Sequence, residues 1–473
     1  MALGGVWADG VDEPNPMRIR ASVLSPLICL LGAMAALRSA EPLLVCGNRQ
    51  GQAAPDWIRR ETIYEVNVRQ FSAAGGFAGV EAELPRLKAL GVGVLWLMPI
   101  HPVGEMNRKG PLGSPYAVRD YYGINPEFGT EADFARLVDA AHAAGFHVLL
   151  DWVGNHTAWD NPLVHEHPDY FVRDAQGRCV PPAGTDWTDV VQLNLNDHAV
   201  CDYESAAMAH WVERFHVDGF RCDFASGVPT AFWDELSARL RAVRPDLFLL
   251  AEAEVPQEQL HAFNASYSFG MMQVFNDVAA ARAPVSRIDD ELARTQVLFP
   301  QGAAWMRYTT NHDENSWNGT EFERLGGGVE PFAVMTYLLD GLPLIYNGQE
   351  AGMNHRLAFF QRDPIAWRTD PLAGFYRTLC TLRRTDPALR TGAPMRRIAT
   401  TANGSVYAIL REAEGHRVVG FCNLTGREAA VEAVDPALNG RWRDVFSGET
   451  VVWQAPVSLT LAAWRYRVFA TVD

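Results

Sequence analysis

The chain has 473 residues and is 48% hydrophobic, so it can bury a large core and exceeds the length at which single cores stop growing. A formal net charge of -15 and a pI near 5.4 exclude nucleic acids and anionic membrane surfaces as partners, because both would repel the chain. We therefore expect one large and one smaller domain, and a neutral or cationic small molecule as ligand.

The N-terminal segment 1–40 resembles an export signal. Arg18 and Arg20 precede the apolar run Val23–Leu37, and small residues follow it at a candidate cleavage point. The run is too short for an ordinary transmembrane helix. Because acidic residues are unusual ahead of such a signal and several occur in 1–16, we interpret Met17 as the true start.

Two other interpretations of this segment stay open. It could be a disordered tail, or Cys46 in LLVCG could be a lipid-modified terminus, although Val45 is large for the position before such a cysteine. The export hypothesis predicts a periplasmic or secreted protein.

From about residue 60, short apolar runs alternate with amphipathic stretches whose apolar residues recur every three or four positions. The runs, which we predict to be strands, are TIYEVNV (62–68), VGVLWLMPI (92–100), HVLLDWV (147–153), GFRCDFA (219–225), DLFLLAEAE (246–254), GMMQVFN (270–276), WMRYTTNHD (305–313) and PLIYNGQE (343–350). Eight strands alternating with helices favour a closed (β/α)₈ TIM barrel over 52–390. A doubly wound open sheet is the alternative, but no GxGxxG follows the first strand.

The spacing of the runs predicts an insertion in the barrel. The step from Asp223 to Glu252 is 29 residues, about one βα unit, whereas the step from Asp151 to Asp223 is 72. We therefore expect an irregular subdomain after the third strand, at 157–203, and a long loop over 101–130 after the second.

After the barrel the pattern changes to alternating apolar and polar residues separated by turn signals such as Asn403-Gly404 and Asn439-Gly440. This pattern predicts a C-terminal antiparallel β-sandwich over 393–473.

The segment GFRCDFA places Arg221 two residues before Asp223 in an otherwise apolar strand. Side chains two apart share a face, so both should point into the barrel near its C-terminal mouth, where barrel enzymes have their sites. A neighbouring guanidinium favours the ionised carboxylate and holds its orientation. A purely structural ion pair is the alternative for this segment taken alone.

The ends of other strands carry similar groups. DWVGNH includes Asp151, Asn155 and His156, LLAEAE includes Glu252 and Glu254, and TNHDEN includes His312 and Asp313. Carboxylates and imidazoles that converge at one end of a barrel favour a functional site. Paired carboxylates are what glycoside hydrolysis requires, as nucleophile and as acid/base.

Four stretches resemble the signature regions of the α-amylase family of glycoside hydrolases, in the same order and with similar spacing: DWVGNH, GFRCDFA, FLLAEAE and TNHD. Further matches are SPYAVRDYYGINPEFGT, VQLNLND and PLIYNGQE, so the resemblance covers about 60 to 470. It implies a (β/α)₈ barrel with an inserted subdomain and a C-terminal β-sandwich, in agreement with the layout above.

The resemblance also implies roles for individual residues. Asp223 would be the nucleophile, Glu252 the general acid/base and Asp313 the carboxylate that grips sugar hydroxyls. Glu254 is the alternative acid, because it shares a face with Glu252 in a continued strand.

Other positions would bind substrate or support the site. The resemblance implies that Arg221 positions the nucleophile, that His156 and His312 hydrogen-bond the sugar, and that Tyr116 is a stacking platform. Asp151 and Asn155 would support the site.

No cofactor is expected, and calcium is doubtful. Ser226 and Gly227 stand where starch-degrading members of the family often carry a lysine and a histidine, and Asn155 alone is one candidate oxygen where calcium needs six to eight. Seven cysteines show no CxxC pair and no zinc-like spacing, so we expect no metal bound through thiolates.

Three functions stay open on the sequence. The first is a retaining hydrolase of α-glucans or maltooligosaccharides; the second is a transglycosylase or disaccharide isomerase with the same residues; the third is a non-catalytic binding subunit. The presence of Asp223 and Glu252 argues against the third. We expect a monomer with an oligosaccharide or polysaccharide substrate, no nucleic acid and no stable membrane span.

Export is testable by mass measurement. We expect protein recovered from the periplasm or medium to lack about the first 40 residues, because the signal is removed on export. Recovery of the intact chain from the cytoplasm alone would contradict the hypothesis.

Overall fold

A computed structural model describes residues 42–472, so the predicted export segment lies outside the described residues. Its central feature is a closed barrel of eight parallel strands in the order β1-β2-β3-β6-β7-β8-β9-β10. These strands are β1 (Ile63–Val66), β2 (Val94–Leu97), β3 (His147–Trp152), β6 (Gly219–Cys222), β7 (Phe248–Ala251), β8 (Ala265–Tyr267), β9 (Ala304–Arg307) and β10 (Leu342–Tyr346). The predicted TIM barrel is confirmed.

Helices cover the outside of the barrel. The α-helices of the barrel and its loops are α1 (Val68–Phe71), α2 (Phe77–Ala82), α3 (Leu84–Leu90), α4 (Glu131–Ala143), α5 (Leu163–Glu166), α6 (His198–Phe215), α7 (Thr230–Val243), α8 (Glu258–His261), α9 (Phe269–Ala279), α10 (Arg287–Leu298), α11 (Glu321–Leu325), α12 (Val329–Leu338) and α13 (Pro371–Thr385). Among residues 42–472, no helix combines the length and the apolarity needed to cross a membrane.

Alternation along each strand divides the barrel residues into two cores. Ile63, Val94 and Leu149 pack inside the barrel, whereas their neighbours Tyr64 and Leu95 pack outward against the helices. This is the period of two that strands impose on side chains. It decides which polar residues face the barrel axis.

The sixth predicted strand, GMMQVFN over 270–276, is wrong. This segment lies in helix α9, and the strand is the shorter β8, which precedes it. Buried residues recur at helical spacing in this segment: counted from Met271, they lie three, four and seven positions on, at Val274, Phe275 and Val278. The apolar residues of this run are dense enough to suit either a strand or a helix. Strand β8 has only three residues, too few to show alternation.

The chain between β3 and β6 contains the insertion. Strands β4 (His156–Ala158) and β5 (Val190–Gln192) form an antiparallel pair there, together with α5. The covering helix α6 begins at His198, before the predicted end of the insertion at residue 203.

Two sheets form the C-terminal region. A six-stranded sheet has the order β11-β12-β13-β18-β15-β16, and β14 pairs with β17 in a second sheet. Their bounds are β11 (Met395–Ile398), β12 (Val406–Ala413), β13 (His416–Asn423), β14 (Ala429–Ala433), β15 (Gly440–Asp444), β16 (Thr450–Trp453), β17 (Val457–Leu461) and β18 (Tyr466–Thr471). Phe421 and Trp442 of the large sheet share a core with Val431 and Leu461 of the small one. Two sheets packed on a shared core form a β-sandwich, as the sequence predicts.

Candidate active site

The polar side chains of the site come from inward positions at the C-terminal ends of the strands. Glu65 lies two residues after the inward Ile63, Trp96 two after Val94, and Asp151 two after Leu149. Asp151 of β3 is also paired in register with Arg221 of β6. Strand alternation therefore brings these groups together at the mouth of the barrel.

Arg221 is the hub of the site and is fully buried. Its Nη1 lies 2.8 Å from Asp151 Oδ1 and 2.9 Å from Asp223 Oδ1, and its Nη2 lies 3.0 Å from Glu252 Oε2. Its Nε donates to the Tyr267 hydroxyl at 3.1 Å. One guanidinium thus fixes three carboxyl groups from three neighbouring strand ends.

The charges around this hub are unequal, with three carboxyl groups for one guanidinium. Burial, together with the nearby charges of Asp223 and Asp313, raises the pKa of Glu252 to about 8 against the opposing effect of Arg221. Burial also raises the pKa of Asp151, again with Arg221 opposing. The structure thereby provides a carboxyl group, Glu252, that stays protonated near neutral pH.

Glu252 is held by its Oε2 atom. The backbone N–H of Phe224 donates to this oxygen at 2.7 Å, in addition to the contact with Arg221. Phe224 has a left-handed backbone (φ 42°), which a residue with a side chain adopts at a cost. This strained conformation aims its N–H at Glu252.

Glu254, the alternative acid, lies outside this cluster. Its Oε1 accepts from the Gly270 N–H and its Oε2 from Arg294, each at 3.0 Å. The expectation that it shares a face with Glu252 fails, because β7 ends at Ala251 and the alternation of a strand does not extend beyond it.

His312 lies between two further carboxylates, Glu65 and Asp313. Its Nδ1 lies 2.5 Å from Glu65 Oε1, and its Nε2 lies 2.8 Å from the Tyr116 hydroxyl and 3.2 Å from Asp313 Oδ2. Burial alone would lower the pKa of His312, but Asp313 and Glu65 outweigh it and raise that pKa well above its usual value. His312 is therefore an imidazolium that donates from both nitrogens.

The pKa of Asp313 is shifted downward, in contrast to that of Glu252. Burial alone would raise its pKa, but the charge and hydrogen bond of His312, together with the charge of Arg221, bring the pKa below its usual value. The site thus pairs a protonated Glu252 with an ionised Asp313.

Tyr116 packs tightly within the site. Its hydroxyl donates to Asp151 Oδ2 at 3.0 Å, and its ring lies nearly parallel to those of His312 (20°, centroids 5.4 Å apart) and Phe359 (14°, 6.2 Å). The side chain predicted as a stacking platform is thus fixed at both its hydroxyl and its ring.

His156 approaches from the start of the insertion. It is buried, its Nδ1 lies 3.2 Å from Asn155 Nδ2, and its ring centroid lies 5.3 Å from that of Trp187. Burial lowers its pKa, so it is neutral at pH 7. The two histidines of the site therefore carry different charges.

Asn155, the candidate calcium ligand, has a protein partner in the structure. The Asn155 side-chain oxygen accepts from Gln192 Nε2 at 3.1 Å, so it already has a protein partner. Within 42–472, no group of three or more His, Cys, Asp or Glu side chains converges so as to hold a metal ion. A Cβ on Gly227 would lie 2.2 Å from the Phe224 ring, so this glycine makes room for that ring.

Several residues of the site were missed in the sequence. Glu65 holds His312, Trp96 donates to Asp151 Oδ2 at 3.2 Å, and Tyr267 holds Arg221. For Glu65, the inward alternation of TIYEVNV was a usable signal. Tyr267 could not be found in this way because β8 itself was misplaced.

The chain is similar to known proteins in both sequence and fold. The family model of the α-amylase catalytic domain matches residues 49–182. The chain is 30% identical over 396 residues to α-amylase MalA of Haloarcula japonica, covering 81% of this chain and 56% of that protein. It is 32% identical over 279 residues to an α-1,4-glucan:maltose-1-phosphate maltosyltransferase of Cereibacter sphaeroides, covering 52% of this chain and 44% of that protein.

Among solved structures, an α-amylase from Lactobacillus plantarum is 34% identical with a TM-score of 0.80, covering 88% of this chain and 100% of that chain. The chain therefore matches little more than half of the Haloarcula protein but the full length of the crystallised amylase.

The raised pKa of Glu252 predicts a pH dependence of stability. The folded protein holds this proton more tightly than the unfolded chain, whose glutamates titrate near 4.5. The resulting stabilisation is complete below about pH 4.5 and is lost as pH rises through about 8. Relative to wild type, Glu252→Gln should therefore gain about 4 kcal/mol in free energy of unfolding between these pH values.

Urea unfolding at pH 4.5, 6 and 8 measures this difference. Glu432→Gln, at an exposed position of β14, is the matched control and should follow the wild-type dependence. If the stability of wild type and of Glu252→Gln depends on pH in the same way, the pKa of Glu252 is not raised by burial and the prediction is wrong.

Calcium removal is a second test. We expect a strong chelator to change neither the rate nor the melting temperature, because Asn155 is already bonded to Gln192 and acidic ligands do not gather around it. A large loss that added calcium restores would show the prediction to be wrong.

Proposed function

Because this chain belongs to the α-amylase family of glycoside hydrolases, we propose that it cleaves α-glucosidic bonds with retention of configuration, using Asp223, Glu252 and Asp313. The observation that carries the proposal is the buried Arg221, which contacts Asp223 and Glu252 at 2.9 and 3.0 Å. A shared guanidinium keeps these carboxyl groups close, as a retaining pair requires.

Asp223 is the nucleophile in this mechanism. Arg221 holds its Oδ1, which leaves Oδ2 to attack the anomeric carbon. The bond to the leaving oxygen breaks as the new carbon–oxygen bond forms, and the sugar becomes covalently attached to Asp223.

Glu252 supplies and then recovers the proton. Arg221 and the Phe224 N–H both contact Oε2, so the proton resides on Oε1, from which it passes to the leaving oxygen. In the second step the ionised Glu252 takes a proton from water, and the resulting hydroxide releases the sugar from Asp223. The raised pKa of Glu252 suits the first of these steps.

Asp313 and its neighbours hold the sugar at the cleavage point. The ionised Asp313 accepts hydrogen bonds from sugar hydroxyls, and the charged His312 and the neutral His156 contribute further polar contacts. Asp151 and Asn155 support this arrangement through Arg221, Tyr116 and His156.

The substrate we propose is an α-glucan or maltooligosaccharide. Glucosyl transfer is the second candidate, supported by the similarity to a maltosyltransferase, since the same covalent intermediate can pass to a sugar hydroxyl instead of water. A non-catalytic binding role is disfavoured by the intact set of carboxylates. We also propose a monomeric protein that is exported through the segment 1–40.

Asp223→Asn tests the mechanism. Without a carboxylate nucleophile, turnover of maltotriose should fall by about three orders of magnitude or more, while the fold and maltotriose binding are retained. Asp246→Asn removes an exposed carboxylate paired with Arg244 and serves as the matched control, with unchanged turnover.

Proton NMR of the wild-type reaction tests retention and distinguishes hydrolysis from transfer. An α-linked maltotriose should release the α-anomer first; an initial β-anomer would mean inversion, and Asp223 would not be the nucleophile. Glucose and maltose alone indicate hydrolysis, whereas sugars longer than maltotriose indicate transfer.

A further inference from the structure

Phe224, which follows the proposed nucleophile Asp223, has an unusual backbone for its residue type. Its φ and ψ are both 42°, in the left-handed region, where a residue with a bulky side chain is an outlier. Such a conformation persists only when its surroundings hold it in place. The proposed mechanism uses the N–H of Phe224 but assigns no role to its ring.

Two contacts fix the ring of Phe224. Trp187 of the insertion meets it edge to face, with centroids 5.1 Å apart and planes at 77°. The ring also lies against Gly227, where a single added Cβ would overlap it. The Gly227 N–H donates to the Phe224 carbonyl at 2.9 Å, so the same turn fixes both the ring and the backbone.

Trp187 is itself supported by the residues beneath it. Its side chain packs against a small buried cluster that joins the long loop after β2 to the insertion: Val103, Ala117, Ala158 and Val190. Lys109 links the same two segments through the Asp186 carbonyl at 3.0 Å and the Asp189 carboxylate at 3.4 Å. Trp187 therefore presents a fixed ring to Phe224.

The N–H of Phe224 is one of two donors to Glu252 Oε2. It lies 2.7 Å from this oxygen, and Arg221 Nη2 lies 3.0 Å from it. If the N–H turned away, one donor would remain and the carboxyl group could rotate. A donor to a carboxylate also favours its ionised form, so this hydrogen bond opposes the rise in the pKa of Glu252 that burial causes.

We infer that Phe224 is a positioning residue for Glu252: its ring, held by Trp187 and Gly227, keeps the left-handed backbone that aims its N–H at the acid/base. This inference rests on the proposed function, which assigns that role to Glu252. The insertion thereby acts on the acid/base through one aromatic contact.

Other charged or titratable groups also face Glu252, and the variants that test the inference leave them in place. They come from β6 and its end, from β8, and from the segment after β9: Arg221, Asp223, Tyr267, Tyr308 and Asp313. A change in the titration of Glu252 in these variants therefore reports the Phe224 N–H.

Phe224→Ala and Phe224→Gly test the inference as a pair. Both remove the ring, but glycine adopts a left-handed backbone without strain, whereas alanine does not. We measure kcat/KM for maltotriose across pH, because its alkaline limb reports the acid of the free enzyme.

The two variants should differ in both rate and pH profile. Phe224→Ala should lower kcat/KM about thirtyfold and move the alkaline limb up by about one pH unit, because the ionised carboxylate loses a donor. Phe224→Gly should lower kcat/KM only about threefold and keep the limb within about 0.3 pH unit of wild type.

Gly227→Ala tests the same contact with the ring still present. Its added methyl group would overlap the Phe224 ring, so the loss and the shift of Phe224→Ala should recur, even where Phe224→Ala itself does not fold. Gly374→Ala is the matched control and should behave as wild type, because its new Cβ on the exposed side of α13 has no atom within 4 Å. Circular dichroism and melting temperature establish which variants fold.

The outcomes separate this inference from the proposed function. Equal losses for folded Phe224→Ala and Phe224→Gly, with the alkaline limb unmoved in both, would mean that the ring contacts sugar, and the inference would be wrong. If wild type does not cleave maltotriose, the proposed function fails, and the pH at which stability to urea declines then reports the pKa of Glu252 instead. A decline at higher pH in Gly227→Ala than in wild type supports positioning by Phe224, and a decline at the same pH overturns it.

Discussion

The buried guanidinium of Arg221 is the interaction on which the rest of the site depends. A fully buried cation is unfavourable unless it is paired, and here Asp151, Asp223 and Glu252 all contact it. Three carboxyl groups around one cation cannot all be ionised at low cost, so one of them remains protonated near neutral pH. The ion pairing that permits burial of Arg221 therefore also creates the different protonation states that acid/base chemistry requires.

A second network adjoins the first at the mouth of the barrel. His312 is charged because Glu65 and Asp313 flank it, and Tyr116 links it to Asp151. Removing one member of either network would leave a buried charge unpaired, which explains why the sequence carries so many polar residues in strands that are otherwise apolar. Phe359 adjoins this network, because its ring lies nearly parallel to that of Tyr116.

The sequence predicted the elements with strong local signals and failed where those signals were short. Seven barrel strands, the insertion and the C-terminal sheets were recognisable from apolar runs, spacing and alternation. The sixth strand was placed in helix α9, because β8 has only three residues (Ala265–Tyr267) and the apolar run after it suits both structures.

The sequence by itself determined the order of the elements and the residue types at the strand ends, because alternation and spacing are local properties that can be read from the chain. It thereby identified Arg221, Asp223, Glu252 and the His312-Asp313 pair as candidates. Only the tertiary structure decided which candidates meet. It separated Glu252 from Glu254 and joined Glu65 to His312 from opposite ends of the barrel sequence. Such contacts depend on how a closed barrel aligns its strands and on where each strand ends, and neither is encoded in a short stretch of residues.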